Sequence, residues 1–531
     1  MKVLVVTGQL ASDTVKRYVR KSPVPIEVMV LPKQVAALMT TRYIAEALAS
    51  RDLTGFDMIL VPGMMMGDTL QIQKKVGVPT FKGPRQAADL PAVLNQIAHD
   101  KKMLSTTRPA CELLGDNLKR RAIKELNRLR SETAEKAKRL GKFAIGSDAG
   151  RVWVGRDLPP LILAEIVNAQ QLSKRELQQW ARYYVRSGAD IIDVGMAAGG
   201  GQPEGAARAV KVLKQTVRKP VSIDSNDVEE IRSAVEAGVD LILSVNADNM
   251  PAVAKFASEV PVVVTPISTE STPTGVAEKV ANLERNIAQA KSLGFKRIIG
   301  DLILNPPLLP SLQSSLEAYY RFAERNPETP LLMGIGNVTE LVDVDSIGVN
   351  FILAALGFEL GAAVLFTTEA SDKTRGCVRE LSTAVQMLQL AKKRGSPPKD
   401  LGADLLIFKE KRRVEPPAEK LPLNVKVVNA AERPKFTYDQ KGCFKIALDR
   451  RRGKIIMYHY PTGSTKPKLV IRGRRPVELY TAAIAEGLIS SLSHAAYLGS
   501  ELEKARLALE TGRSYIQDRT TESVFYKGQT F

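Results

Sequence analysis

A chain of 531 residues has room for one barrel of about 250 residues with smaller domains beside it, and a composition of 44% hydrophobic, 25% charged and 5% aromatic residues excludes a disordered or disulfide-built chain. The formal charge of +19 would permit nucleic-acid binding. The basic residues are dispersed, however, and their clusters (Lys119 to Lys142, Lys409 to Arg413, Arg450 to Lys454, Arg472 to Arg475) carry no zinc-finger or RNA-binding signature, so they read as solvated faces that attract anionic metabolites.

The cysteines Cys111, Cys377 and Cys443 are too far apart for a disulfide framework or a zinc site and fit a reducing cytoplasm. The opening MKVLVVTGQL has too short an apolar run for a signal peptide and reads as a first strand. Two further runs, IEVMVL and DMILVPG, follow it between polar and Gly/Pro punctuation, which predicts a small open α/β domain over residues 1–115. The turn from Pro62 to Asp68 stands where such sheets receive ligands, but it lacks the spacing of a nucleotide-binding loop and reads as a tight turn. Residues 116–142, with Leu118, Ile123, Leu126, Leu129 and Leu140 among lysines and arginines, predict a connecting basic helix.

From 143 to 395 the pattern becomes strand, loop, helix, repeated. The strands are Leu161 to Val167, Ala189 to Gly195, Pro220 to Asp224, Val239 to Val245, Val260 to Thr265, Arg297 to Ile303, Pro330 to Gly336 and Ala362 to Thr368. Between them lie helical segments such as Ser173 to Ser187 and Ala277 to Leu293, and eight successive βα units predict a (β/α)8 TIM barrel at the centre of an α/β protein. The apolar stretch Ile347 to Thr367 is interrupted by Asn350 and Glu359 and reads as a helix and the last barrel strand rather than a membrane span. Residues 396–422, rich in proline and charge, read as a linker, and 423–531 as a C-terminal α+β domain built on CFKIALD, GKIIMYHY and KLVIRG and two helices.

In a barrel the chemistry sits where strands end. The polar residues there are Asn168, Asp193, Asp224, Ser244, Asn246, Asp301, Asn337 and Glu369. A lone Asp at such a place can be a helix cap. Asp224 and Asp301 together are more informative, because two carboxylates in one apolar mouth need donors, and an aminopyrimidine ring offers adjacent N–H groups. The loop Gly199-Gly200-Gly201 before a helix suits an anion or simple flexibility, and both readings stay open. Lys373 and Arg375 could meet a phosphate or pyrophosphate at the same mouth. Histidine is confined to His99, His459 and His494, all outside the barrel, which excludes a Ser/His/Asp system or a multi-histidine metal centre there. For His459 and His494, packing or hydrogen bonding is the expected role.

The runs SGADIIDVG, KPVSIDS, AVEAGVDLILSVNA, VPVVVT and RIIGDLILNPP together resemble the pterin-binding family that contains dihydropteroate synthases and corrinoid-linked methyltetrahydrofolate methyltransferases. The three-part layout resembles archaeal-type dihydropteroate synthase-related proteins. The resemblance implies a reduced pterin as substrate, with Asp224 and Asp301 as catalytic, pterin-binding acids and Asp193, Asn246 and Asn337 around the ring. It implies Asn168 near the pyrophosphate and its Mg²⁺; by the chain's own residues, Lys373 and Arg375 would replace the family's missing arginine and lysine as phosphate groups, with Gly199, Gly200 and Gly201 beside them. The implied activity is condensation of a dihydropterin pyrophosphate with an arylamine, p-aminobenzoate or ribofuranosyl-aminobenzene phosphate, in folate or tetrahydromethanopterin synthesis.

The chain departs from the synthase pattern in three places. It has no arginine in the loop Gly199 to Pro203, Leu243 where an Asn is usual, and Gly334-Ile335-Gly336-Asn337-Val338 in place of a lysine-bearing motif. The last feature is closer to the methyltransferases, so methyl transfer to a corrinoid, or pterin binding without catalysis, are the alternatives. The C-terminal domain could cover the barrel or form a homo-oligomer interface.

Overall fold

The computed structural model describes residues 1–20, 22–99, 104–113, 116–147, 150–268, 273–407, 409, 426, 428, 430 and 438–518. The chain divides into two compact units, 1–411 and 412–531.

The first unit opens with four parallel strands, β1 (Val3–Gly8), β2 (Ile26–Leu31), β3 (Met58–Val61) and β4 (Thr80–Lys82), in the order β2-β1-β3-β4. The aliphatic runs are continuous because both faces of the sheet are covered. Val3, Val5 and Leu60 pack into one core, and Leu4, Val6, Ile59 and Val61 into another. Strand β4, only three residues and partly polar, carries no aliphatic signal in the sequence. The turn after β3 is pinned from below, where the buried Lys82 ammonium donates to the Met65 carbonyl at 2.8 Å. Gly63 is needed there, since a Cβ would come within 2.3 Å of the Gly83 carbonyl oxygen. This turn lines, with the ends of β1 and β3, a cavity of about 380 Å³.

The basic helix runs Asp116–Arg139. It is fastened to the last barrel helix, Cys377–Arg394, by the buried Arg394 guanidinium, whose Nε donates to Glu125 at 3.0 Å. Leu126 packs there with Met387, Leu390 and Leu401. Leu401 lies in the first part of the expected linker, which is therefore packed against this unit. The remainder of that linker, with most of the cluster Lys409 to Arg413, lies outside the described residues.

The barrel strands are β7 (Leu161–Ile166), β8 (Ile191–Gly195), β9 (Val221–Asp224), β10 (Leu241–Val245), β11 (Val262–Val264), β12 (Ile298–Asp301), β13 (Leu331–Gly334) and β14 (Val364–Thr368), and they close in sequence order as β14 pairs with β7. Alternation along each strand separates two cores. Ile162, Ala164, Ile192, Val194, Val221 and Ile223 face the surrounding helices. Leu163, Ile191, Leu241, Val263, Ile299, Leu332 and Val364 face inward and fill the lumen. Helix starts are set by side-chain caps, such as the reciprocal Ser173–Glu176 capping box and the Asp227 carboxylate on the amides of Glu229 and Glu230. The apolar stretch near the end is the helix Ser346–Leu360 followed by β14. Among the described residues no helix is long and apolar enough to cross a membrane.

A short antiparallel hairpin, β5 (Phe143–Ile145) with β6 (Val152–Val154), precedes the barrel, a feature the sequence pattern does not announce. Its Ile145, Val152 and Val154 join the inward-facing cluster. Gly146 lies against Pro220 and the Ala144 carbonyl accepts from Arg297, both just before strands begin, so the hairpin closes the end of the barrel opposite the strand C-termini.

The second unit is an antiparallel sheet, β15 (Cys443–Asp449), β16 (Lys454–Tyr460) and β17 (Leu469–Gly473), with helices Pro476–Ala485 and Leu492–Thr511. Phe444, Ile446, Ile455, Met457, Leu479, Leu498 and Leu502 form its core. His459 Nε2 lies 3.0 Å from the Lys441 carbonyl and His494 Nδ1 2.9 Å from Asp439, so both histidines serve hydrogen bonds within the fold.

Ile145 is fully buried in the lumen plug. Ile145→Ala is expected to lower stability by about 2–4 kcal/mol in urea unfolding. A change below about 0.5 kcal/mol would show that the hairpin does not close the barrel.

Candidate active site

The lumen changes character along its length. The inward positions of β7 run Leu161, Leu163, Glu165, and those of β8 run Ile191, Asp193, Gly195, while β9 offers Ser222 and Asp224 and β12 offers Ile299 and Asp301. β7, β8 and β12 are apolar below and acidic or small above, while β9 places Ser222 beneath Asp224. Register aligns them: Glu165 pairs with Asp193, Asp193 with Ser222, and Gly195 with Asp224. Four acids thus occupy the upper layers of one barrel.

Gly195 makes the arrangement possible. A Cβ there would lie 2.1 Å from Glu165 Oε1, so the Glu165 carboxyl occupies the space a side chain would take and stands beside Asp224. Oxygens of Glu165, Asp193 and Asp224 come within 4.8 Å of one another. A hard cation could bridge such a gap, and shared protons meet the same electrostatic need.

Burial dominates the titration of all four acids. It lifts the Glu165 carboxyl to about 7, with help from the neighbouring charges of Asp224 and Glu340. Asp224 is raised to about 6 by burial and then by facing Asp301, against the pull of a hydrogen bond from Ser244. Asp193, fully buried, is pushed well above the carboxylate range by burial and by Asp224 and Glu165. Its Oδ1 accepts from Ser222 at 2.5 Å, and among the described residues nothing bonds its Oδ2. Asp301 is also raised by burial, but it has more support for its charge. The buried Tyr319 hydroxyl and the Ile303 amide, at 2.8 Å, both donate to Oδ1, and the Lys279 ammonium lies close enough to oppose the shift. Lys279 itself is held on the Ile303 carbonyl at 2.9 Å.

Of the other sequence-expected residues, Asn246 is folded into the turn after β10, accepting from the amides of Asp248 and Asn249. Asn337 donates to the Leu304 carbonyl at 3.2 Å, linking the loops after β13 and β12. Asn168 is exposed after β7 with φ 51°, and its side chain caps nothing. Lys373 is turned onto the Val342 carbonyl at 2.9 Å and Asp343 at 3.2 Å. Arg375 is exposed and lies near Glu369, which accepts from Tyr183 at 2.9 Å and from the Val378 amide.

The glycine loop is engaged within the fold at its C-terminal side. Gly199, Gly200 and Gly201 all have positive φ, yet the Gly201 amide donates to Asp227 and the Gln202 amide to Glu230, each at 2.9 Å. An anion approaching those amides would meet two carboxylates, so in this conformation they serve the fold. The physical reason is Asp227, which caps the next helix and anchors the loop with one side chain.

Residues 167–358 match the family described as pterin binding enzyme, 438–518 the family PterinBD-DUF4346, and 1–85 a family of unknown function, DUF6513. Over nearly its whole length the chain is similar to an uncharacterized protein of Methanocaldococcus jannaschii, 36% identical over 533 residues that cover 98% of each chain. The chain belongs to the family of that archaeal protein, and its barrel carries the match to pterin binding enzymes. Similar solved structures include dihydropteroate synthase from Stenotrophomonas maltophilia, at 18% identity over 44% of this chain and 93% of that one with a TM-score of 0.36. The Xanthomonas albilineans dihydropteroate synthase in complex with 7,8-dihydropteroate matches at 19% identity over 47% of this chain and 99% of that one, with a TM-score of 0.37.

Within this pterin-binding barrel, sequence reasoning missed Glu165, Ser222, Lys279 and Tyr319. Glu165 sits inside the aliphatic run LILAEI and was absorbed into it, although period two places it with Leu161 and Leu163 on the inward face. Tyr319 and Lys279 lie on helices, and only the folded chain brings them to Asp301.

The raised acids fix a sign for stability. Above the ordinary carboxylate range of about 4 the unfolded chain releases these protons, while the folded chain keeps them until about 6 to 7 or higher. Their contribution to stability therefore falls as pH rises through that window. The urea midpoint of wild type is expected to drop between pH 5 and pH 8, and Asp193→Asn to raise stability at pH 8 by about 1–3 kcal/mol. An Asp193→Asn variant no more stable than wild type at pH 8 would contradict this.

Proposed function

We propose that the barrel is a dihydropteroate synthase-like transferase, condensing a dihydropterin pyrophosphate with an arylamine in folate or tetrahydromethanopterin synthesis. The observation that carries the reading is the pair Asp224 and Asp301, the last residues of β9 and β12 at the open end of the lumen, with Asp301 held by the Tyr319 hydroxyl and the Ile303 amide. Ionised, they accept N–H bonds from the pyrimidine edge of the ring and stabilise positive charge that develops on the pterin as pyrophosphate leaves. The amine nitrogen attacks the methylene carbon, the carbon–oxygen bond to pyrophosphate breaks, and the amine proton passes to solvent.

Pyrophosphate needs positive charge at the rim. Arg375 is the exposed cation for this role, because Lys373 is already engaged by Asp343. Mg²⁺ would arrive with the pyrophosphate. The exposed Asn168 amide, which caps no helix, fits as its protein ligand, and the ion would neutralise leaving-group charge. Either arylamine suits a chain of net charge +19, and the phosphate-bearing one suits it more.

A second reading keeps the ring and changes the reaction. Asn337, seated between the loops after β12 and β13 where the synthases carry a lysine, favours methyl transfer from a reduced pterin to a separate corrinoid protein.

The test is pyrophosphate release from 6-hydroxymethyl-dihydropterin pyrophosphate with Mg²⁺ and each amine. Amine-dependent release is expected, reduced more than about 100-fold in Asp224→Asn. Binding of the pterin without release under any amine would turn the assignment to methyl transfer. Tyr319→Phe removes a donor to the Asp301 carboxylate and is expected to weaken pterin binding about 10-fold or more, read by fluorescence titration. Unchanged affinity would remove Asp301 from the ring site.

A further inference from the structure

The chemistry proposed for the barrel makes no use of the cavity in the N-terminal sheet. We propose that this cavity is a second binding site, for a small organic anion: an apolar, ring-sized body carrying one carboxylate, which Arg85 holds. The inference stands apart from the pterin reading and uses none of its residues.

Topology places the cavity. β1 pairs with β2 on one side and β3 on the other, so the chain leaving β1 and the chain leaving β3 turn in opposite directions. A parallel sheet opens a crevice at such a point, outside the C-terminal ends of its strands. The cavity lies there, bordered by Thr7 of β1, Val61 of β3, the turn Pro62-Gly63-Met64 and the residues after β4. Its volume of about 380 Å³ suits a small molecule.

The backbone is not free to recognise a phosphate here. The Gly63 amide donates to the Pro84 carbonyl at 3.2 Å and the Gly83 amide to the Val61 carbonyl at 2.8 Å, so the glycines close the turn and form no anion nest. Recognition of charge falls to a side chain, and Arg85 is in place for it.

The Arg85 side chain lines the cavity and is 6% exposed. A buried guanidinium carries five N–H donors that need acceptors. Its Nη2 donates to Glu112, and among the described residues nothing bonds its Nε. Glu112 is also divided between two cations, since Arg108 Nε lies 3.8 Å from its second oxygen. The segment Gly395-Ser396-Pro397, directly after the last barrel helix, completes the wall, and there the buried Ser396 hydroxyl likewise has no partner. Arg17 stands at this edge: its guanidinium lies over the Tyr18 ring, and a Cβ on Gly395 would come within 2.9 Å of its Nη2.

One cavity therefore gathers two donors without partners and an excess of positive charge. Both are satisfied by an acceptor with a single negative charge. Val5, Val15, Leu60 and Leu90 make the rest of the wall apolar, so that acceptor arrives on a hydrophobic body. A carboxylate matches the planar fork of a guanidinium, and its one charge is what Arg85 and Arg108 retain after Glu112 is counted.

The experiment is calorimetric titration of the full chain with phenylacetate, its neutral analogue 2-phenylethanol, and phenyl phosphate. Saturable binding of phenylacetate is expected with a dissociation constant below about 5 mM, at least about tenfold tighter than the alcohol or the phosphate. Arg85→Met is expected to weaken phenylacetate about tenfold or more, to the level of the alcohol. Glu112→Gln keeps the shape of the pair and removes the competing charge, so it is expected to tighten phenylacetate about threefold or more. Asp224→Asn is expected to leave this binding unchanged.

Absence of saturable phenylacetate binding would overturn the inference, as would an alcohol or a phosphate that binds as tightly as the acid. A Glu112→Gln variant that binds no better than wild type would overturn it as well, and this result stands even if Arg85→Met fails to fold. Loss of binding in Asp224→Asn would place the probe in the barrel and overturn the assignment to the N-terminal sheet. None of these results bears on pterin binding, which is measured separately.

Discussion

Carboxylates do not enter an apolar barrel without something to neutralise them. In this protein Glu165, Asp193, Asp224 and Asp301 are gathered in the upper lumen, and the charges acting on the first three are those of other acids: Asp224 and Glu340 on Glu165, Asp224 and Glu165 on Asp193, and Asp301 on Asp224. Desolvation alone pushes each toward its neutral form, and the neighbours push in the same direction. Such a cluster is held by the surrounding structure at a cost in stability, and a ligand with several N–H donors on one edge relieves that strain by satisfying acids that water reaches poorly. The same constraint makes the site selective, since an anionic or donor-poor ring would add to the repulsion.

The rest of the first unit can be understood as support for that cluster. The lower lumen is filled by aliphatic side chains and closed by the β5–β6 hairpin, which keeps water from entering beneath the acids. Parallel register sets Glu165, Asp193 and Ser222 in one layer, with Gly195 and Asp224 in the next. Glycine at 195 decides which acid stands next to which. On the opposite wall, Tyr319 and Lys279 stabilise charge on Asp301. One acid is thus prepared to be ionised while the Glu165 side of the site retains protons, a division of states produced by environment alone.

Much of this architecture was legible in the sequence because the barrel strands are buried on both faces and announce themselves as aliphatic runs followed by polar residues. Asp224 and Asp301 were visible because each ends such a run. Glu165 was not, since a single acid inside LILAEI gains meaning only when Asp193 and Asp224 are known to lie beside it, and pairing register is a property of the closed barrel. The β5–β6 hairpin and β4 are three-residue strands with no period to detect. The glycine loop shows a long-range contact of another kind. Its composition suits an anion, but the carboxylates of Asp227 and Glu230, some thirty residues on, claim the amides. No local pattern could reveal that competition.

The account stands on the pyrimidine edge of a reduced pterin meeting Asp224 and Asp301 inside the barrel. A crystal structure of the protein with 6-hydroxymethyl-7,8-dihydropterin measures this directly. The ring is expected at the strand C-termini, with its amino and ring N–H groups within hydrogen-bond distance of both carboxylates. A ring bound elsewhere, or bound in the mouth with its pyrimidine edge turned away from Asp224 and Asp301, would contradict the account.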